Sequence, residues 1–455
     1  MKLRQLSMGL FAAAFLAACD SPLDTEPRSS IPADEALDTP AEIRVAVNGM
    51  YDAFQDNGRD FTRNMIVVPD LYADNVVWGD TYATDREFSN RIVNPTNVAV
   101  ANIWRSAYIG IDRANNVIKA LETVQGFAAG EAPRLRGEAQ FVRGYMYFIL
   151  GRFFGGVPLI TEPTRAIPTV EQVQVPKSSQ AAVYAFAEAD LRAAQAVLGD
   201  RPFAGRGSWG AATALLARLN LETRDWAEAA AFATDVIDSG EYSLVSDFAA
   251  NWRNKNGPES IFELQYTVND ANGLAFWFNP QGRYAFTPRQ ALINAFLNVD
   301  GVAGNHDFER LVGTITSDAS GTYFNKYFRI ESGDDNFTMI RLAEMYLVRS
   351  EARARLGDLE GAIDDINVLR DRAGILPVAA SITTQAQILT ANLAERRREL
   401  ALEGHRFFDL RRFSDLPNVG AYVSALYSGE LHRLLFPIPQ TELDSNSLLT
   451  QNPGY

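Results

Sequence analysis

Thr338-Met339-Ile340-Arg341-Leu342-Ala343-Glu344-Met345-Tyr346-Leu347-Val348-Arg349-Ser350-Glu351-Ala352-Arg353-Ala354-Arg355-Leu356 is the stretch on which the fold turns. Met339, Leu342, Ala343, Tyr346, Leu347, Ser350 and Ala354 recur at the three- and four-residue spacing of one helix face. Glu351 and Arg355 stand four apart on another face, where an ion pair would support the helix. Gly357-Asp358-Leu359-Glu360-Gly361-Ala362 then turns the chain, and Asp358 predicts the N-cap of a second helix. Thr223-Arg224-Asp225-Trp226-Ala227-Glu228-Ala229 repeats the device, with Asp225 as cap and Glu228 placed to complete a capping box. Ala229 and Ala362 are small enough to let paired helices approach. Helix, short Asp-containing turn and helix with an early alanine is the texture of tetratricopeptide hairpins, whose unit is about 34 residues.

Working outward, helical periodicity extends over 42–54, 97–124, 132–154, 179–198, 210–223, 226–239, 359–373 and 384–413. The pair 97–124 and 132–154 is broken by Gly126 and Gly130 and reads as antiparallel. The expected fold is mostly α: a TPR-like helical-hairpin scaffold with long irregular loops and a few short strands. One domain is expected over 41–455, with helices about 41–56, 97–239 and 338–413 and loop-rich insertions about 60–95 and 241–336. Insertions of this length in a helical protein usually carry function.

The N-terminus is different. Lys2 and Arg4 precede an apolar run over residues 6–16, which is too short to span a bilayer and has the order of a secretory signal peptide. Leu16-Ala17-Ala18-Cys19 closes it like a bacterial lipobox, and Cys19 is the only cysteine of 455 residues. Cleavage before Cys19 and lipidation of its thiol would anchor the chain without spanning the membrane. Residues 1–18 are therefore read as signal peptide and 19–40, rich in Pro, Ser and acid, as lipidated tether.

Loss of Lys2 and Arg4 lowers the formal charge from −14 to −16, which argues against binding nucleic-acid phosphates. His306, His405 and His432 are far apart, no thiol remains, and no EF-hand, phosphate cradle or G-x-S-x-G nucleophile motif occurs. No metal, cofactor or catalytic residue is therefore expected. In Glu395-Arg396-Arg397-Arg398-Glu399, followed by Glu403, charges alternate at helical spacing and are expected to pair along the helix and lock adjacent hairpins.

Four separated segments carry a family resemblance. Gly137-Glu138-Ala139-Gln140-Phe141-Val142-Arg143-Gly144-Tyr145, running on to Phe154-Gly155-Gly156-Val157-Pro158-Leu159, resembles a signature helix of SusD/RagB-type proteins. Arg341-Leu342-Ala343-Glu344-Met345-Tyr346-Leu347 with Glu351-Ala352, then Glu395-Arg396-Arg397-Arg398-Glu399-Leu400 with Glu403-Gly404-His405-Arg406 and Asp409-Leu410-Arg411-Arg412, are similar to two more. The ending Leu435-Phe436-Pro437-Ile438-Pro439 and Gln451-Asn452-Pro453-Gly454-Tyr455 resembles the family's usual tail. Asp307-Phe308-Glu309-Arg310 departs from a common D-P-R, and Asn446-Ser447 from N-P. The resemblance implies an outer-membrane lipoprotein facing the exterior that docks on a SusC-like TonB-dependent transporter and holds a glycan; some relatives hold peptides.

A sugar ring stacks its C–H face on an aromatic ring while its hydroxyls need short polar or charged groups, so a binding loop mixes the two. Two segments fit: Asp74-Asn75-Val76-Val77-Trp78-Gly79-Asp80-Thr81-Tyr82, and 272–284, which contains Phe276, Trp277, Arg283 and Tyr284. The candidate ligand-binding residues are Asp74, Asn75, Trp78, Tyr82, Phe276, Trp277, Arg283 and Tyr284. Their rings either face a ligand or pack beneath the loops, and Asp74-Asn75 also suits a structural Asx turn. Trp104, Trp209 and Trp226 sit in helical stretches and are expected in the core. The functional alternatives are a peptide binder, a ligandless lid of the transporter and a surface hydrolase. Cys19→Ser is expected to abolish palmitate labelling and release the chain from the membrane fraction; a variant that keeps the label would refute lipidation at this thiol.

Overall fold

The computed structural model describes residues 37–56, 58, 60–164, 169–200 and 204–455. Cys19 and most of the tether lie outside the described residues. The turn at Gly357 forms as its sequence requires: Gly357 adopts φ +92°, and the Asp358 carboxylate accepts from the Gly361 amide at 3.0 Å. Asp225 caps its helix in the same way, accepting from the Glu228 amide at 3.2 Å. The Glu228 carboxylate does not close a capping box; it receives Arg192 at 2.7 Å instead. A capping box does open the helix Pro40–Asp52, between Thr39 and Glu42.

Helices Val98–Ala120, Glu131–Phe154, Gln180–Val197, Trp209–Thr223 and Trp226–Asp238 pack in succession, and Leu342–Leu356, Leu359–Arg372 and Gln385–Glu399 continue the stack against Trp226–Asp238. The hairpins on either side of 239–341 thus lie against each other, and the long insertion leaves the stack and returns to it. Glycines allow the tightest contact: a Cβ at Gly144 would lie 3.0 Å from the Ala187 carbonyl, and one at Gly151 2.6 Å from the Tyr184 ring. Trp104 is buried as expected, whereas Trp209 and Trp226 are only partly buried. No helix among the described residues is long and apolar enough to cross a membrane.

Several elements depart from the sequence-based expectation. Phe337–Arg341 is a strand, paired antiparallel with Ser260–Leu264, and the helix begins only at Leu342. That helix is buried almost all round, and Tyr346, assigned to the inner stripe, is one of its more exposed residues. Glu351 pairs with Arg412 and Arg355 with Asp415, not with each other. Residues 384–413 are not one helix: Leu402 (φ +62°) and Gly404 (φ +81°) break it before Arg406–Arg412. The stretch 60–95, expected as loop, holds helices Phe61–Tyr72 and Ala83–Asn90. Every residue of Phe61–Tyr72 is buried, Thr62, Arg63, Asn64 and Asp70 included, so its polar residues mark no solvent-facing side, and Pro69 further disguises the helix.

The charged run 395–403 also behaves differently. Apart from Glu395 with Arg398, its partners come from elsewhere in the chain. Glu399 receives Arg310, Arg341 and Arg372; Glu403 receives Arg341 at 2.8 Å and Lys326 at 2.6 Å; Glu395 receives Arg310 at 2.6 Å and Arg370 at 2.9 Å. Burial by itself would raise the Glu399 carboxyl, but Arg372, Arg341 and Arg310 outweigh it and hold it well below the usual carboxylate range. Glu399→Gln leaves three buried guanidiniums facing a neutral amide and is expected to cost about 3–5 kcal/mol in urea unfolding followed by circular dichroism. A cost under about 1 kcal/mol would mean that water or rearrangement compensates the lost charge.

Candidate ligand-binding site

The two aromatic-polar segments, some two hundred residues apart in sequence, meet in one ladder. Val76–Trp78 pairs antiparallel with Phe286–Pro288, placing Trp78 opposite Phe286 and Val76 opposite Pro288. The Gly79 amide extends the ladder by donating to the Ala285 carbonyl at 2.9 Å. Ala285 and Arg283 then donate to the carbonyls of Trp277 and Phe276 at 2.9 and 2.7 Å, folding the short helix Leu274–Phe278 back over the ladder.

On this platform the ring centroid of Tyr82 lies 6.0 Å from that of Trp277, and Trp277 is 5.8 Å from Phe276, edge to face. Tyr82 and Phe276 each expose 46% of their surface. Trp78 and Trp277 are half-buried and pack against the core. Each tryptophan roots the platform, and Tyr82 and Phe276 project from it into solvent. The Trp78 Nε1–H has no acceptor among the described residues. Tyr284 is held aside, with φ +52° and its hydroxyl donating to the Thr322 carbonyl at 3.0 Å.

Charges tie the rings together. Arg283 lies 4.3 Å above the Tyr82 ring and forms a two-point pair with Asp80, one contact of 2.9 Å, so it joins the two segments across their exposed edge. Those hydrogen bonds hold the Asp80 carboxyl down at about 2, so it is ionised at any physiological pH. Beneath, the Arg63 guanidinium sits 4.4 Å from the Trp277 ring and pairs with Asp85 at 2.6 Å. Arg86 lies 5.3 Å from the Trp78 ring. Sequence reasoning missed Arg63, Arg86 and Asp85; the one available signal was a charge at Arg63 beside the apolar run 65–68.

Asp74 and Asn75 are not on this face. Both are buried: Asp74 accepts Arg406 at 2.7 and 3.0 Å and the Tyr422 hydroxyl at 2.8 Å. Burial would raise the Asp74 carboxyl, but Arg406 and Arg397 hold it far below the ordinary range. Asn75 donates to Asp70 at 2.7 Å and accepts from Arg397 at 2.9 Å. The pair is framework, fixing where the ladder starts. Exposed rings flanked by fixed guanidinium and carboxylate groups suit a ligand with flat C–H faces and hydroxyl edges. A cleft of about 730 Å³ lies elsewhere, beside Trp104, Tyr108, Pro158 and Leu449, and contains none of the expected site residues.

Two family descriptions match the chain: "Starch-binding associating with outer membrane" over residues 22–221 and "SusD family" over 319–455. Together they account for more than half of it, and the chain belongs to the SusD family. It is 23% identical to SusD-like protein P38 of Formosa agariphila over 98% of this chain and 97% of that one. It is 34% identical to the starch-binding protein SusD of Bacteroides thetaiotaomicron over 27% of this chain and 22% of that one. Among solved structures, a laminarin-binding SusD-like protein superposes with TM-score 0.77 at 26% identity, covering 92% of this chain and all of the other (100%). A SusD superfamily protein of Bacteroides vulgatus shares the fold with TM-score 0.80 at 24% identity, over 91% and 99% of the two chains.

Asp70 offers a test of the framework under the site. Burial pushes its carboxyl up to about 6, although Asn75 and the Leu402 amide donate to it. The folded state therefore holds this proton more tightly than the unfolded chain. Its contribution to stability is complete below about pH 4 and is lost as pH rises through about 6. Asp70→Asn keeps the accepting oxygen and stays neutral. The variant is expected to match the parent near pH 4 and to exceed it by up to about 3 kcal/mol at pH 7.5. A difference that does not change with pH, measured by urea unfolding, would place the titration elsewhere.

Proposed function

We propose that this chain is a cell-surface, lipid-anchored glycan-binding protein that captures oligosaccharide and passes it to a SusC-like TonB-dependent outer-membrane transporter. The observation that carries this reading is the joining of two distant segments through Val76–Trp78 and Phe286–Pro288 into one platform of outward aromatics and fixed charges. A structural lid without a ligand gives no reason to hold Tyr82 and Phe276 out in water. The family assignment and the laminarin-binding relative support a carbohydrate as the ligand class. Binding alone is asked of this protein; the energy for import comes from the transporter.

Each exposed ring offers stacking area at small entropic cost, and hydroxyls find partners at Asp80, Arg283 and Arg86. Isothermal titration against neutral and acidic oligosaccharides and against peptides tests the reading, with glycans expected to bind and peptides not. Tyr82→Ala together with Phe276→Ala is expected to weaken glycan affinity at least about tenfold with little change in thermal unfolding. Trp78→Ala or Trp277→Ala lowers thermal stability as well, because those rings also fill the platform's base. Undiminished affinity in the Tyr82/Phe276 double variant would move the site away from this platform, and peptide binding in place of glycan binding would change the ligand class.

A further inference from the structure

The charges at the far end of the same ladder do not balance. Four arginines, Arg91, Arg289, Arg397 and Arg406, gather around the Asp74-Asn75 corner. One of them, Arg406, takes both Asp74 oxygens in a two-point pair, and the Tyr422 hydroxyl and Arg397, at 3.4 Å, crowd the same carboxylate. Arg397 otherwise spends its donors on the Asn75 side-chain oxygen and the Asp74 carbonyl. Among the described residues the Arg91 side chain donates only to the backbone carbonyls of Tyr72, Ala73 and Ser89. The side chain of Arg289, whose amide donates to the Asn75 carbonyl at 2.9 Å, has no acceptor among the described residues, and its Nε is closed off from solvent.

Of the other nearby carboxyls, Asp70 turns inward to Asn75 and the Leu402 amide, and Asp409, which faces Arg406, is taken up by Arg396 and Arg412. The positive surplus is therefore real, and burial together with the Arg406 charge holds Arg397 down to about 10. Burying part of several guanidiniums beside a single carboxylate is costly unless a further anion completes the set. Arg91, Arg289 and Arg397 are each partly open to solvent, and Tyr422, 43% exposed, stands at the edge.

We infer that Arg289, with Arg91 and Arg397, forms an oxyanion subsite that takes a carboxylate or sulfate ester carried by the same glycan that stacks on the aromatic platform. The inference rests on the glycan-binding reading and deepens it by naming an acidic glycan as the substrate class. The spacing fits: Arg289 directly follows Pro288, and Asn75 directly precedes Val76, at the end of the ladder opposite Trp78 and Phe286. A ladder of three residue pairs is about 10 Å long, within the span of a short oligosaccharide. Guanidiniums recognise planar or tetrahedral oxyanions through paired N–H bonds, which a neutral sugar hydroxyl cannot match.

The test uses the mature chain and three oligosaccharides of equal length: a neutral β-glucan, an oligouronide and a sulfated galactan fragment. The parent is expected to prefer an acidic member over the neutral one by about tenfold or more, with an affinity that falls as salt rises. The uronide and sulfate arms tell carboxylate from sulfate recognition. Arg289→Ala is expected to bring the acidic-to-neutral ratio close to one, and Arg289→Lys to restore part of it. A parent without preference for either acid, or an Arg289→Ala variant that keeps the preference, would overturn the subsite. If no glycan binds, the glycan reading fails and the subsite is judged by inorganic sulfate alone: sulfate that raises the melting temperature of the parent but not of Arg289→Ala upholds it, and equal shifts overturn it.

Discussion

The interior of this protein is organised by ions as much as by apolar contacts. The helix Gln385–Glu399 and the break after it present Glu395, Glu399 and Glu403 to guanidiniums and an ammonium arriving from four other places: Arg310, Lys326, Arg341, and the pair Arg370 and Arg372. A buried ion pair gains little over an apolar replacement, yet leaving one partner alone is expensive, so such a set penalises every arrangement except the one that satisfies all members. Apolar side chains alone could slide past one another at lower cost. Here the network fixes the 260–341 strands, the helix Phe308–Thr314 and the last hairpins relative to one another.

That constraint reaches the candidate site. Just past the break at Leu402 and Gly404, Arg406 leaves the network's edge and takes Asp74. Arg397, on the helix itself, holds Asn75. The start of the Val76–Trp78 strand is thereby set by the same helix that closes the core, and strand pairing with Phe286–Pro288 carries the setting out to Trp78, Tyr82 and Trp277. Ring placement on an exposed platform is thus inherited from buried charges, and under the proposed function the rings need not order when a glycan binds. Preorganisation of this kind spares affinity the entropic cost of fixing side chains.

The helical hairpins were legible because each writes its own period and cap: Asp225 and Asp358 cap where their positions dictate. The helix Phe61–Tyr72 was not, because it is buried all round and its polar residues Thr62, Arg63, Asn64 and Asp70 find partners inside rather than marking a solvent-facing side. The strand Phe337–Arg341 takes the first four residues of the stretch 338–356 expected as helix, because alternation and helical spacing are hard to tell apart in a short apolar run and its partner Ser260–Leu264 is remote in sequence. Pairs expected within one helix, such as Glu351 with Arg355, went to other elements because a buried guanidinium takes whichever carboxylate the packing brings.

By itself the sequence determined what local physics can write: helix length, caps, turns, the signal-like N-terminus, and which segments carry rings among polar residues. Tertiary structure alone decided which of those residues face solvent and which are buried. Asp74-Asn75 and Trp78 lie within five positions of one another, yet the first two sank into an arginine cradle and the ring stayed half in the open. The physical reason is that burial, ion pairing and the meeting of strands 76–78 and 286–288 depend on contacts across the whole chain, and no stretch of sequence holds both partners of such a contact.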